Sequence, residues 1–250
     1  MTIKEIGSKE KPLSWTDFED YMRKDADVYN ENRQKERNGA TGHFSRWIYR
    51  GQTNADWFLE TTLERYLVEE FGRTTEKYDL KKYYSYLSAI VPSINSLTKY
   101  KFKEFNPWDI SLEENSSLPH YELLCYARHH GFPSPLLDWS MSYYVAAFFA
   151  FRGTKPGQNP AIYAYQCWAG KGRSRRTDLP FIDVKGPYVE THPRHHKQQS
   201  QYTVCASKEW FKDNAKILLR KHDEAVSGEQ IKKFILNFAE KKSVLEKLFS

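Results

Sequence analysis

Two hydrophobic periods divide this chain into elements. The first 12 residues are charged and predict no regular structure. Ser14 stands where a helix N-cap is expected. Trp15, Phe18 and Met22 follow at intervals of three to four and share one helical face. The polar run from Asn30 to Gly42 predicts a loop. Phe44, Trp47, Ile48 and Tyr49 predict a strand by their aromatic and β-branched character, and Arg50-Gly51 ends it. Asn54 to Asp56 predicts a turn, and Thr61 to Phe71 a helix. Over residues 75–91, Tyr78, Leu80, Tyr83, Tyr84, Tyr86, Leu87, Ile90 and Val91 recur at helical spacing, and Pro92 should end or kink that helix. An irregular aromatic connector spans 100–118. Pro119 then opens a helix carrying Tyr121, Leu123, Leu124, Cys125 and Tyr126, which Gly131 and Pro133 stop.

The stretch from Ala127 to Phe151 passes through a Pro-punctuated turn into the apolar run YYVAAFFAF, which predicts a buried helix from Tyr143 to Phe151. Ala161 to Gln166 predicts a strand. Residues 168–180 form a basic loop. Phe181 to Val184, Tyr188 to Thr191 and Gln201 to Cys205 predict short strands. Two terminal helices are expected, Ser207 to Leu219 and Glu229 to Lys241, the second amphipathic through Ile231, Phe234, Ile235 and Phe238. The mixture predicts an α+β fold with a small mixed or antiparallel sheet split by helices. Residues 1–40 read as an N-terminal helical and polar extension, and 41–250 as a single domain with no linker-like break.

Of the 250 residues, 40% are hydrophobic and 16% aromatic, enough for a sizeable core and against global disorder. The net charge of +6 fits a nucleic-acid or nucleotide partner. The three cysteines lack a CxxC pair, which argues against a disulfide framework or a zinc ribbon. An apolar N-terminal leader is missing, and no apolar run approaches the roughly 18 residues of a membrane span. The expectation is a soluble cytoplasmic protein without membrane contact.

Known catalytic signatures are missing: neither a P-loop, a dinucleotide fingerprint nor a nucleophile elbow occurs. His129, His130, His192, His195 and His196 lack metal-ligand spacing, so no metal site is expected. Ser140, His130 and Asp138 lie too close in sequence to read as a hydrolase triad. Polar side chains do cluster between buried segments: His129, His130, Asp138, Trp139, Ser140 and Ser142. Such groups are costly unless hydrogen-bonded or used. Arg50 before Gly51 reads as a structural ion pair or as a ligand contact, where glycine admits a close approach. Lys171, Arg173, Arg175 and Arg176 read as a solvated loop or as one that tracks phosphates. With the polar stretch Gln198 to Thr203, these elements would suit a nucleotide-like ligand, Arg50 gripping phosphate and Trp139 stacking on a ring.

The segment YRGQTNADWFLETTLERY resembles the opening motif of the FRG domain family, named for its (F/Y)RG. ARHHGFPSPLLDWSMSYYVAAFFAF resembles that family's second and most specific block, and PRHHKQQSQYTV its third. Order and spacing agree from about residue 43 to about residue 205. The chain departs from the pattern at Pro135, where an Arg often precedes LLDW, at Ser200 in place of Gly, and at His195 in place of a hydrophobic residue. The resemblance makes residues 41–250 an FRG-type domain. Family members are bacterial and phage proteins, some of them parts of phage-defence or toxin systems.

The layout also resembles ADP-ribosyltransferases. That likeness implies an NAD-consuming toxin or defence effector, with Tyr49, Arg50, Gly51, Gln52, Asp138, Trp139 and Ser142 around NAD. Arg50 would hold the diphosphate, Ser140 or Ser142 the ribose, and Trp139 or Tyr49 the nicotinamide. His129, His130, Ser140 and Gln198 would carry the chemistry. A late E-x-E is missing; Gln198, Gln199 or Glu190 would have to stand in, and a glutamine is no general base. Nucleic acid is the implied acceptor, and an antitoxin or other defence-system protein the implied partner. Two other readings stand beside this one. The first is a non-catalytic nucleotide or nucleic-acid-binding module. The second is a nuclease using His129, His130 and Asp138.

Overall fold

The computed structural model describes residues 3–40, 42–73, 78–110, 118–170, 180–185, 200–211, 214–225 and 230–249. In chain order its strands are β1 (Lys4–Ile6), β2 (Ile48–Gln52), β3 (Tyr78–Asp79), β4 (Leu137–Ser140), β5 (Ala161–Gln166), β6 (Phe181–Lys185), β7 (Ser200–Phe211), β8 (Asn214–Leu219) and β9 (Gln230–Ile235). Its α-helices are α1 (Trp15–Arg37), α2 (Thr62–Phe71), α3 (Leu80–Leu97), α4 (Tyr121–His129), α5 (Tyr143–Gly153) and α6 (Lys241–Phe249). The fold is α+β, as expected, and the sheet is mixed. Its order is β1-β9-β5-β2-β4-β7-β8-β3. The β1–β9 pair is parallel, and the other pairs are antiparallel.

β7 organises one half of the sheet. Thr203 lies opposite both Leu137 of β4 and Val184 of β6, and Ala206 opposite both Phe181 of β6 and Leu219 of β8. β4 and β8 therefore follow one another along one edge of β7, with β6 on the other.

Side chains alternate across the strands and feed three cores. Tyr49, Ile162, Ala164 and Phe234 meet Trp15, Phe18, Ala146, Ala147 and Phe151 of α1 and α5, with Val244 of α6. Tyr202 and Val204 of β7, on that same front face, meet α2, α3 and α4 through Leu63, Tyr84, Leu87 and Leu124. The back face gathers Ile48, Trp139, Tyr163, Tyr165, Cys205 and Ile231. Two helical groups thus share the front face, and the seam between them runs over β2 and β4.

Several elements differ from the sequence reading. Ser207–Leu219 is not a helix but the end of β7 with β8, and Gln230–Ile235 is β9, paired with β5 at six positions. β9 is buried on both faces, Phe234 in front and Ile231 and Ile235 behind. Its apolar residues therefore show no clean alternation and mimic a helical stripe. α1 continues to Arg37 through the polar run read as a loop. Its Glu, Arg, Gln and Lys residues are good helix formers. The charged N-terminus, read as part of an extension, supplies the edge strand β1, and α1 gives the front core Trp15, Phe18 and Met22. α3 runs through Pro92 to Leu97. The proline ring is exposed, and Leu87 and Val91 hold the preceding turn in the core. The stretch read as a turn before Ser142 contains the strand β4. The proposed strand Tyr188 to Thr191 lies outside the described residues.

Candidate functional site

β2 has two unequal edges. It pairs with β5 at five positions, from Ile48 opposite Tyr165 to Gln52 opposite Ala161. With β4 it pairs at one, Tyr49 opposite Ser140. Beyond that pair a side chain takes over from the ladder: Arg50 Nη1 donates to the carbonyl oxygen of Asp138 at 2.9 Å. The front face above this opening holds a cleft of about 350 Å³. Tyr49, Gly51, Asp138, Ser140, Ser200 and Tyr202 floor it, Val145, Ala146 and Phe149 of α5 wall one side, and His129 of α4 lies on the other.

Gly51 sets the height of the α5 wall. A Cβ there would stand 1.9 Å from the carbonyl oxygen of Ala146 and 2.8 Å from the Ala150 nitrogen. The glycine serves helix-on-strand packing, with its φ in the ordinary range.

Asp138 is the carboxylate of the cleft. Arg128 Nε donates to its Oδ1 at 2.5 Å, and Arg128 Nη2 donates to Oδ2, a bidentate clamp. Arg128 Nη1 reaches Thr62 Oγ1 at 3.2 Å. The Arg128 side chain is 10% exposed and that of Asp138 49%, so a deep cation holds a carboxylate open to the cleft. Burial pushes the Asp138 carboxyl up, but Arg128, with smaller help from Arg50 and His129, outweighs it and holds the group below its usual value. Asp138 is therefore ionised at neutral pH.

Arg50 sits under the opening. Burial, opposed by Asp138 and aided by Arg128 and Arg65, lowers its guanidinium to about 10, so it keeps its charge at neutral pH. Its Nε is covered and has no hydrogen-bond partner among the described residues. His129 is exposed, its Nε2 3.2 Å from the Tyr202 hydroxyl. Burial raises the Tyr202 phenol far above its usual range, so it stays neutral.

The structure separates the expected site residues into groups. Tyr49, Arg50, Gly51, His129, Asp138, Trp139 and Ser140 line the cleft. Trp139 is only 3% exposed, its ring in the back core and its Nε1 donating to Thr203 Oγ1 at 2.8 Å. It is a core residue rather than a stacking platform. Tyr49 is 9% exposed and packs edge-on against Tyr143. His130 is not a lining residue of the cleft; its ring packs on Tyr126 at 4.3 Å. Gln52 pins the following loop through Nε2 to the Phe58 carbonyl at 2.9 Å. Ser142 caps α5 by position, and its N–H donates to Ser140 Oγ at 3.1 Å. Gln198, Gln199, Glu190, His192, His195, His196, Lys171, Arg173, Arg175 and Arg176 lie outside the described residues. Among the described residues, no three His, Cys, Asp or Glu side chains gather as metal ligands, and no helix is long and apolar enough to cross a membrane.

Sequence reasoning missed Arg128 and Phe149, and reached Ser200 and Tyr202 only as members of the polar stretch Gln198 to Thr203. Arg128 looks like an ordinary basic residue in the last turn of a helix. Phe149, 44% exposed, is hidden among the aromatics of α5.

The family model of the FRG domain matches residues 45–159. That span holds Arg50, Arg128, His129, Asp138, Ser140 and Phe149, while Ser200 and Tyr202 come from β7 beyond it. No curated protein and no solved structure matches the chain.

Proposed function

We propose, for a chain that carries an FRG domain over residues 45–159, that the cleft between β2 and β4 takes NAD and that the protein transfers ADP-ribose, as a toxin or phage-defence effector with nucleic acid as acceptor. The observation that carries this reading is the opening itself. A sheet withholds its hydrogen bonds at one place, a guanidinium whose Nε–H has no partner among the described residues lies across it, and an ionised carboxylate faces the space above.

The chemistry needs a negative group beside the ribosyl carbon. When the C1′–N bond breaks, nicotinamide leaves with the bonding electron pair and positive charge grows on the sugar. A fixed carboxylate stabilises that charge. Asp138 meets the requirement. It supplies an anion in a cleft where no glutamate appears among the described lining residues. His129 would take the proton of the attacking hydroxyl or amine; its Nε2 lies 3.2 Å from the neutral Tyr202 hydroxyl, which supports this role. Phe149 offers the exposed aromatic surface that Trp139 does not.

The test is calorimetric titration of NAD, with nicotinamide release measured while RNA, DNA and lysate are offered as acceptors. Wild type should bind and release nicotinamide. Phe149→Ala should weaken binding about tenfold, the loss of one stacked ring. His129→Ala should bind NAD and lose about a hundredfold or more in transfer. A wild type that neither binds NAD nor releases nicotinamide ends this reading. NAD binding without turnover on any acceptor leaves a nucleotide-binding module. One feature favours that second reading: Arg50 and Arg128 already spend hydrogen bonds on Asp138.

A further inference from the structure

The segment that follows α3 alternates lysine with aromatic residues: Lys99, Tyr100, Lys101, Phe102, Lys103. It belongs to no strand, yet it is fixed in place. The Asn95 side chain treats Phe102 as a ladder partner would: its Nδ2 donates to the Phe102 carbonyl and its Oδ1 accepts from the Phe102 N–H, both at 2.8 Å. Tyr100 and Phe102 turn the same way. Their rings lie parallel at 6.0 Å and both pack on Tyr126 of α4, at 4.8 and 5.2 Å. The alternation puts the three lysines on the other side, and all three are exposed. Successive lysines stand about 7 Å apart along the extended chain. Lys101 Nζ donates one hydrogen bond to the Asn95 carbonyl, at the end of α3, and keeps two N–H groups for another acceptor. Among the described residues, none of the three meets a carboxylate, whereas Lys9, Lys232, Lys233 and Lys247 each do. The exposed Glu104 ends the row.

Beside the row lies a hollow of about 440 Å³, between the last turn of α3 and the last turn of α4. Leu97 and Thr98 line it from α3, and Tyr126, His130 and Phe132 from α4 and the turn after it. Rings in contact lead into it: Phe102 and Tyr100 touch Tyr126, and Tyr126 touches the exposed His130 at 4.3 Å. A row of evenly spaced cations fits a polyanion, and a ring-lined hollow beside it fits one that carries planar bases. A duplex keeps its bases stacked inside, so only a single strand can offer one to the hollow. An acidic peptide would meet the lysines and leave the rings unused. We infer that this surface binds single-stranded nucleic acid, with its phosphates along Lys99, Lys101 and Lys103 and one base in the hollow against His130. His129, the next residue, lines the cleft, so the strand passes the same end of α4 that serves the cleft. The inference deepens the reading above, on which it rests for nucleic acid as acceptor, while the binding itself needs no NAD.

The probes are fluorescent oligothymidine and oligouridine of about 12 nucleotides, followed by anisotropy against the full chain between about 50 and 300 mM salt. A duplex of the same length and a polyglutamate peptide serve as competitors. At the lowest salt either single strand should bind at micromolar concentration, and both competitors at least about tenfold more weakly. The triple variant Lys99→Gln, Lys101→Gln, Lys103→Gln changes only exposed side chains and should keep the wild-type circular dichroism. It should lose at least about tenfold in affinity, and its log–log salt slope should be shallower by about 2, the share of three phosphate contacts on a single strand. His130→Ala should lose at least about fivefold at an unchanged salt slope, the mark of a lost stacking contact. Calorimetric titration of NAD should give the same result for the triple variant as for wild type, so a failure at the cleft and a failure here are read separately. The inference is overturned if neither single strand binds at about 100 µM, or if the triple variant keeps the wild-type affinity and slope. It is also overturned if the duplex or polyglutamate binds as tightly as the single strands, since the surface then reads charge alone.

Discussion

The two edges of β2 do opposite work. On one, five successive residues pair with β5, the backbone groups are spent in a ladder, and α5 lies close enough over Gly51 that a methyl group would not fit. On the other, one pair holds β4, and the next bond is made by the side chain of Arg50. The first edge excludes everything but backbone. The second keeps Asp138, Ser140, Tyr202 and His129 around an empty volume. A strand can therefore serve both as part of the core and as one lip of a cleft, provided the polar groups released by the missing ladder find side-chain partners.

The largest effect expected from disturbing this arrangement is at the closed edge. Gly51→Ala forces α5 away from β2, and the atom in the way is a backbone carbonyl that no rotamer can move. The expected cost is at least about 3 kcal/mol, read as a fall in the urea midpoint at unchanged slope or as failure to fold. A loss below about 1 kcal/mol would mean that the two layers separate easily and that the edges differ less than their pairing suggests.

At the open edge the effects should be smaller and unequal. Asp138→Asn leaves the deep Arg128 charge without its partner. Arg128→Met removes that charge and leaves a carboxylate that water already reaches. Breaking a buried pair costs about 3–5 kcal/mol, and the exposure of Asp138 discounts that to about 2 for Asp138→Asn. Arg128→Met should cost about half as much, because Thr62 Oγ1 retains the Ser134 amide at 2.9 Å. Equal losses in paired unfolding curves would show that Arg128 is as well hydrated as Asp138.

The sequence exposed the open edge better than it exposed the sheet around it. Arg50, His129, Asp138 and Ser140 stand out as polar residues set among apolar ones, a pattern that survives without knowing the fold. Thr61 and Glu64 announce α2 through a reciprocal cap that the structure contains. Arg128 was illegible, and Tyr202 was reached only through its stretch Gln198 to Thr203, for a different reason. Their roles depend on which strand lies beside which, and a basic residue at a helix end or an aromatic in a strand is ordinary in isolation. The last third misled because β9 is buried on both faces and because Ile231, Phe234 and Ile235 satisfy a helical period as well as they fit a strand. The pairing that settles the matter, β9 against β5, joins segments about seventy residues apart and leaves no local trace.

His222 offers the finest measure of how dry the back face is. It is 1% exposed on the back face, its Nε2 2.9 Å from Thr203 Oγ1, which also accepts from Trp139 Nε1. Burial, then the positive charge of Arg50, lowers its imidazole to about 3. An unfolded chain takes that proton near pH 6.5. Between pH 6.5 and 3 the unfolded state thus holds a proton that the folded state refuses, and stability must fall as pH falls, by as much as about 1.4 kcal/mol per pH unit. Asp138, held below its usual value, adds a further loss only under about pH 4. Unfolding midpoints at about pH 6.5, 5.5 and 4.5 therefore isolate the histidine. Wild type should lose stability steeply across that range and His222→Gln only shallowly, the other histidines being common to both. Parallel curves would mean that His222 accepts its proton in the folded state and that the back face around it is wetter than its 1% exposure indicates.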